Sequence, residues 1–179
     1  MTKIRLATIW LDGCSGCHMS FLDMDERLIE LAPFFDLVYS PYVDTKEFPK
    51  DVDLTLVEGA VSSDHDLEII KKIRANSKIV LALGDCAVTG NVSALKNLYG
   101  TDAVLQRGYF ELADLNQEKN YPSKIVPKLL DKVIPLHEAI KIDYFLPGCP
   151  VPADAIYEAL KALIEGREIN VSELTRFGK

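Results

Sequence analysis

The chain has 179 residues, 48% of them hydrophobic and 26% charged, an ordinary globular balance and enough length for one domain with its own core. Lys and Arg number 20 against 27 Asp and Glu, so the net charge is -7, and a nucleic-acid backbone is not an expected partner. No uncharged apolar run approaches the roughly 20 residues that cross a bilayer, so membrane insertion is not expected.

The first element is strand-like, Ile4 to Leu11, and reaches Asp12 with no twin Arg, long apolar stretch or small-residue cleavage site before it. The expectation is a soluble, cytoplasmic chain whose four cysteines are poor candidates for structural disulfides. A helix is expected over Phe21 to Leu31, a second strand over Phe34 to Tyr39, and a third over Asp53 to Glu58. Ser62, Ser63 and Asp64 can cap a helix running to about Ala75. Lys78 to Leu83 shows no alternation, as expected of a strand buried on both faces. The stretch from Tyr99 to Leu136 holds Gly108, Pro122, Pro127 and Pro135 and reads as an excursion with short helices. Ile142 to Leu146 is the fifth strand. The last helix spans about Pro152 to Glu165, with Ile156, Leu160, Leu163 and Ile164 on one face and Gly166 just past its end.

Strands alternating with helices predict an α/β fold: a flavodoxin-like, doubly wound parallel sheet in the order 2-1-3-4-5. One domain covers residues 1–179, with a core over about 3–166 and a C-terminal tail over 167–179.

Cys14 and Cys17 follow the first strand in G-C-S-G-C, Cys86 follows the fourth in L-G-D-C-A, and Cys149 follows the fifth in L-P-G-C-P. A parallel sheet sends the C-terminal ends of its strands to one edge, where α/β sheets place their ligands. All four thiols are therefore expected at one rim, and Gly13, Gly16, Gly84 and Gly148 would let the backbone turn around a bulky ligand. Pro150 after Cys149 echoes iron–sulfur loops. Four thiolates can hold zinc, but structural zinc usually takes two close C-x-x-C knuckles. A [4Fe–4S] cluster accepts scattered cysteines and is the favoured reading. The alternative is a thioredoxin-like dithiol at Cys14 and Cys17, with Cys86 and Cys149 as inert buried residues.

The motifs G-C-S-G-C-H, V-E-G-A-V-S-S, G-D-C-A-V-T-G-N and P-G-C-P-V-P, in this order, resemble the small subunit of [NiFe]-hydrogenases and, in the same superfamily, the 20 kDa subunit of respiratory complex I. The resemblance runs from Lys3 to about Gly166. The complex I subunit carries adjacent cysteines that this chain lacks. The twin-Arg leader and C-terminal cluster extension of periplasmic and membrane-bound enzymes are not in this sequence, nor are the added ferredoxin-like cysteines of F420-reducing relatives. The chain therefore looks most like the small subunit of the cytoplasmic, bidirectional NAD-reducing hydrogenase. Asn91 is a departure, standing where relatives often carry a second glycine after Gly90.

That likeness implies that Cys14, Cys17, Cys86 and Cys149 bind one proximal [4Fe–4S] cluster. It implies a separate large subunit carrying the Ni–Fe site, and diaphorase subunits with flavin and further clusters. The chain would relay electrons between them, with no catalytic site of its own. A stand-alone iron–sulfur carrier is the alternative from another class. The fold would accept a flavin mononucleotide (FMN), though no residue calls for one.

Around the cysteines, Glu58 ends the third strand on the same edge and is expected near the cluster, unless it is a partly solvated strand-end acid. Ser15 and Thr89 are candidate donors to sulfur, or else a turn residue and a helix cap. His18 reads as a buried or interfacial polar residue, His65 as part of a surface helix's first turn, and His137 has no evident partner. Trp10, Met19, Phe21, Val61, Val88 and Val151 lie in the same loops, either covered by a partner or completing the domain's own core. Asp23, Asp25 and Glu26 read as solvated helix surface.

Overall fold

The structure is a computed structural model that describes residues 2–114 and 120–178. Five strands form the central sheet: β1 (Ile4–Trp10), β2 (Phe35–Tyr39), β3 (Val52–Glu58), β5 (Ser77–Leu83) and β7 (Tyr144–Leu146). They pair in parallel in the order β2-β1-β3-β5-β7, the expected flavodoxin-like order. A small antiparallel pair, β4 (Val61–Ser63) with β6 (Leu129–Ile134), lies outside it.

The strands are apolar on both faces because helices cover both. Successive side chains of a strand point to opposite faces. Leu54 and Leu56 of β3 and Leu81 and Leu83 of β5 therefore pack on one side with Leu6, Phe21, Ile156 and Leu160. Val57, Val80 and Ala82 pack on the other side with Ile70, Ile73 and Leu136. The first layer holds α1 (Gly16–Leu22), α2 (Glu26–Leu31) and α7 (Ala153–Glu165). The second holds α3 (Asp64–Asn76), α4 (Asp85–Thr89) and α6 (Leu136–Ala139). Residues beyond α7 extend the first layer: Ile169, Val171 and Leu174 pack on it, and Thr175 is buried.

The single helix expected over Phe21 to Leu31 is two. The chain starts turning at Gly16, α1 ends at Asp23, and Asp25 takes a positive φ of 50°. Met24, between two exposed aspartates, drops into the core and breaks the helical path. The capping of α3 follows the reading at Ser63. Its hydroxyl accepts from the Asp66 amide while the Asp66 carboxylate accepts from the Ser63 amide, a reciprocal capping box.

The excursion holds a 3₁₀ helix (Ser93–Leu98), then α5 (Thr101–Gln106) running into one π-helical turn (Arg107–Glu111). Strand β6 was not expected there. It has exposed Asp131 and Lys132 at its centre, and three-residue β4 is too short to show a period. The Asn97 side chain holds the 3₁₀ helix to β6 by donating to the Val133 carbonyl and accepting from the Val133 amide, at 2.8 and 2.7 Å.

Arg74, at the end of α3, ties that helix to the sheet. It donates to the Asp143 carboxylate at 2.6 Å and to the Ser77 and Lys78 carbonyls, and the Val80 amide donates to the same carboxylate. Burial alone would push the Asp143 carboxyl up, but the Arg74 and Val80 bonds outweigh it and hold it below the usual range. Its folded pKa is thus below the unfolded one. The resulting stability is present above pH about 4 and is lost as pH falls through the folded value. Asp143→Asn should therefore be less stable at neutral pH and lose less on acidification below about pH 4, which urea unfolding at a series of pH values would measure.

A thiol pocket at the sheet rim

Every strand of the parallel sheet ends at the same edge, and three of the loops that leave this edge carry cysteine. Cys14 lies between β1 and α1, with Cys17 in the first turn of α1. Cys86 is in α4 directly after β5, and Cys149 follows β7. Cys17 is buried, Cys86 partly buried, and Cys14 and Cys149 exposed, all four as free thiols. The charges of Cys14 and Cys86 act on Cys17, and those of Cys149 and Cys14 on Cys86, so the four form one neighbourhood. Among the described residues, no three Cys, His, Asp or Glu side chains close to the spacing of a single metal ion.

Two buried carboxylates position the loops. Glu58 ends β3 with 2% of its surface exposed, which excludes the reading of a solvated strand-end acid. Its Oε1 accepts from the Cys17 amide at 3.2 Å and its Oε2 from the His18 amide at 2.9 Å. The His18 ring donates to Oε2 through Nδ1–H at 2.5 Å. The carboxylate therefore fixes the first turn of α1 at the residues that carry Cys17. His18 is as buried as Glu58, and its Nε2 has no hydrogen-bond partner among the described residues. Its ring stands edge-on to Tyr42.

Asp85 is the second carboxylate, also buried. One oxygen accepts from the Gly148 amide at 2.7 Å and the other from the Gly178 amide at 2.8 Å, while the Asp85 amide donates to the Gly148 carbonyl. The Cys86 loop, the Cys149 loop and the segment after α7 are thus tied at one point. Thr175 adds a bond from its hydroxyl to the Pro147 carbonyl.

The sulfurs receive N–H donors. The Gly16 amide donates to Cys14 Sγ at 3.4 Å, and the Val151 amide donates to Cys17. The Asn91 side chain reaches Cys149 Sγ at 3.3 Å and Cys86 Sγ at 3.9 Å. Burial nevertheless pushes the Cys17 thiol up to about 12, with smaller upward contributions from Glu58, Cys14 and Cys86. An attacking thiolate is exposed and low in pKa, so Cys17 is not a nucleophile. A metal would have to displace its proton.

The remaining expectations sort by geometry. Thr89 donates its one hydroxyl proton to the Asp85 carbonyl and so has none for sulfur. Ser15 takes a left-handed turn ahead of α1, without a side-chain capping bond. His65 is in the exposed first turn of α3, and His137 meets Phe145 edge-on. Of the six apolar loop residues, Phe21, Val61, Val88 and Val151 are core, while Trp10 and Met19 are half-exposed. Asp23, Asp25 and Glu26 are exposed, as expected. Sequence reading missed Asp85 and the sulfur contacts of Asn91. The one local signal was their position, Asp85 directly before Cys86 and Asn91 directly after Gly90.

The chain belongs to the family described as NADH ubiquinone oxidoreductase, 20 Kd subunit, whose model matches residues 14–163. The delta subunit of the NAD-reducing hydrogenase HoxS of Cupriavidus necator is 39% identical over 181 residues, covering 98% of this chain and 86% of that protein. The F420-non-reducing hydrogenase of Methanothermobacter thermautotrophicus includes a polypeptide that is 39% identical over 175 residues. The chain spans just over half the length of that protein and of similar archaeal subunits, 56% and 57% in two cases. A solved NAD+-reducing [NiFe]-hydrogenase in the H2-reduced state contains a chain that superposes with a TM-score of 0.94 at 36% identity, over 98% of this chain and 99% of that one.

Gly84 is a position beside Cys17 that tolerates no side chain. Its φ is 86°, and a Cβ there would lie 2.3 Å from Cys17 Sγ. Gly84→Ala should lower stability by about 1–3 kcal/mol and displace the Cys17 sulfur, read as faster labelling of that thiol by a disulfide reagent. Glu58→Ala would leave two amides and the His18 ring without an acceptor. The expected loss is about 3–5 kcal/mol in urea unfolding, and a loss below about 1 kcal/mol would refute the positioning role.

Proposed function

We propose that this chain is the electron-transfer subunit of a [NiFe]-hydrogenase and that Cys14, Cys17, Cys86 and Cys149 hold a single [4Fe–4S] cluster. When bound, the cluster supplies one-electron transfer. The observation that carries the reading is four free thiols from three separate loops brought together at one rim of the sheet.

The protein's own groups fit that occupant. Four cysteines are the usual donor set for such a cluster, and it accepts ligands from distant loops. N–H groups from Gly16, Val151 and Asn91 face the sulfurs, as anionic thiolates require. Glu58 and Asp85 act one step further back by fixing the loops that present Cys17, Cys86 and Cys149.

The Ni–Fe site belongs to a separate large subunit in this reading, because all four thiols of this chain are committed to the cluster. Trp10 and Met19, half-exposed beside the cysteine loops, form part of the surface against that subunit. Electrons from H2 oxidation pass through this chain to diaphorase subunits with flavin and clusters and on to NAD+, and the flow reverses to make H2. The likeness to the HoxS delta subunit and to the NAD+-reducing structure supports the NAD-linked version.

No helix among the described residues is long and apolar enough to cross a membrane.

Anaerobically purified chain should carry iron and acid-labile sulfide in equal amounts, about four of each, and should co-purify with a nickel-containing subunit. Cys86→Ala should abolish the iron and its paramagnetic signal. A chain without iron, with a Cys14–Cys17 dithiol activity that survives Cys86→Ala, would overturn the reading.

A further inference from the structure

Donors to the sulfurs are of two kinds. The Gly16 and Val151 amides belong to the main chain and stay in place whatever the neighbouring side chains. Asn91 is different: its donor is a side chain, so a single substitution removes it without altering the thiols. Its Nδ2 stands 3.3 Å from Cys149 Sγ and 3.9 Å from Cys86 Sγ, two sulfurs delivered by different strands.

The side chain is held in that posture. Asn91 has a positive φ of 38°, directly after Gly90 at 83°, a conformation that asparagine tolerates better than most residues. Its own amide donates to the Thr89 hydroxyl, and its carbonyl accepts from the Ala94 amide. The amide group carries two N–H and one oxygen. Turned the other way, it would set a carbonyl oxygen against two thiolates.

Resting on the reading of this pocket as an iron–sulfur site, we propose that Asn91 sets the cluster's reduction potential by donating from its side-chain amide to the Cys149 and Cys86 sulfurs. The reduced cluster carries one more negative charge than the oxidised one. An N–H dipole aimed at the ligating sulfur stabilises that extra charge and raises the potential. Asn91 is a positioning and tuning residue that acts through the ligands and takes no part in the chemistry itself. Burial works in the other direction at Cys86, where it disfavours negative charge and the Asn91 bond offsets part of the effect.

Two variants isolate the effect. Asn91→Gly keeps a backbone that accepts positive φ and deletes the donor. Asn91→Asp keeps the shape and replaces the donor with an anionic oxygen. Both are read in the full chain within its purified complex, by redox titration followed by paramagnetic resonance, with iron and sulfide assayed in parallel. Asn91→Gly should keep its cluster and lower the midpoint, so that the ratio of reduced to oxidised cluster at a fixed poise falls about threefold to tenfold. Tenfold corresponds to about 59 mV for a one-electron couple. Asn91→Asp should fall further. Unchanged midpoints in both variants at full iron content would overturn the inference. Loss of iron from both would also overturn it, since Asn91 would then serve assembly rather than tuning. Native chain without iron or sulfide would instead defeat the cluster reading, and the metal assay separates that failure from the others.

Discussion

Parallel pairing obliges each connection in the central sheet to cross a face and return to the starting edge, so every strand hands its next loop to the same rim. This constraint fixes where chemistry can happen before any functional residue is chosen. β1, β5 and β7 sit at separate positions in the strand order, yet their following loops share an edge. Cysteines 69 residues apart (86 − 17) and 63 apart (149 − 86) become neighbours for that reason. The apolar faces of the strands hold the helices down on both sides, and the loops gain a rigid base.

A rim alone does not give a pocket, because loops are free to splay. Here each is anchored by a carboxylate withdrawn from water. Glu58 serves the Cys17 turn, and Asp85 serves the Cys86 and Cys149 loops together with the segment after α7. Removing a charged group from water is costly unless backbone or side-chain donors replace the lost hydration. The amides of Cys17, His18, Gly148 and Gly178 do so, and in the process lose their freedom to move. The site is therefore built from the inside: buried acids hold backbone, and backbone presents sulfur.

Much of this was legible in the sequence. The central strands announced themselves as short apolar runs because both faces are covered, and the cysteines could be placed at strand ends once those runs were assigned. What escaped was whatever depends on a partner far along the chain. Glu58 and His18 are 40 residues apart, and Asp85 reaches Gly148 across 63, so no local period marks either pair. Met24 interrupts a helix through burial rather than through a Gly or Pro. β6 hides behind exposed charges at its centre. Phe21, Val61, Val88 and Val151 were ambiguous because an apolar loop residue looks the same in sequence whether it faces a partner or its own core.

The long separations between the four thiols also set an order of events during synthesis. A zinc finger's knuckles meet within a few residues, so its metal can nucleate the fold. In this chain Cys14 emerges early and Cys149 late, with most of the polypeptide between them. Their meeting depends on non-local strand pairings, the slow class of contact in folding. The gathering of the four thiols is thus a product of the finished tertiary structure and of no nascent segment.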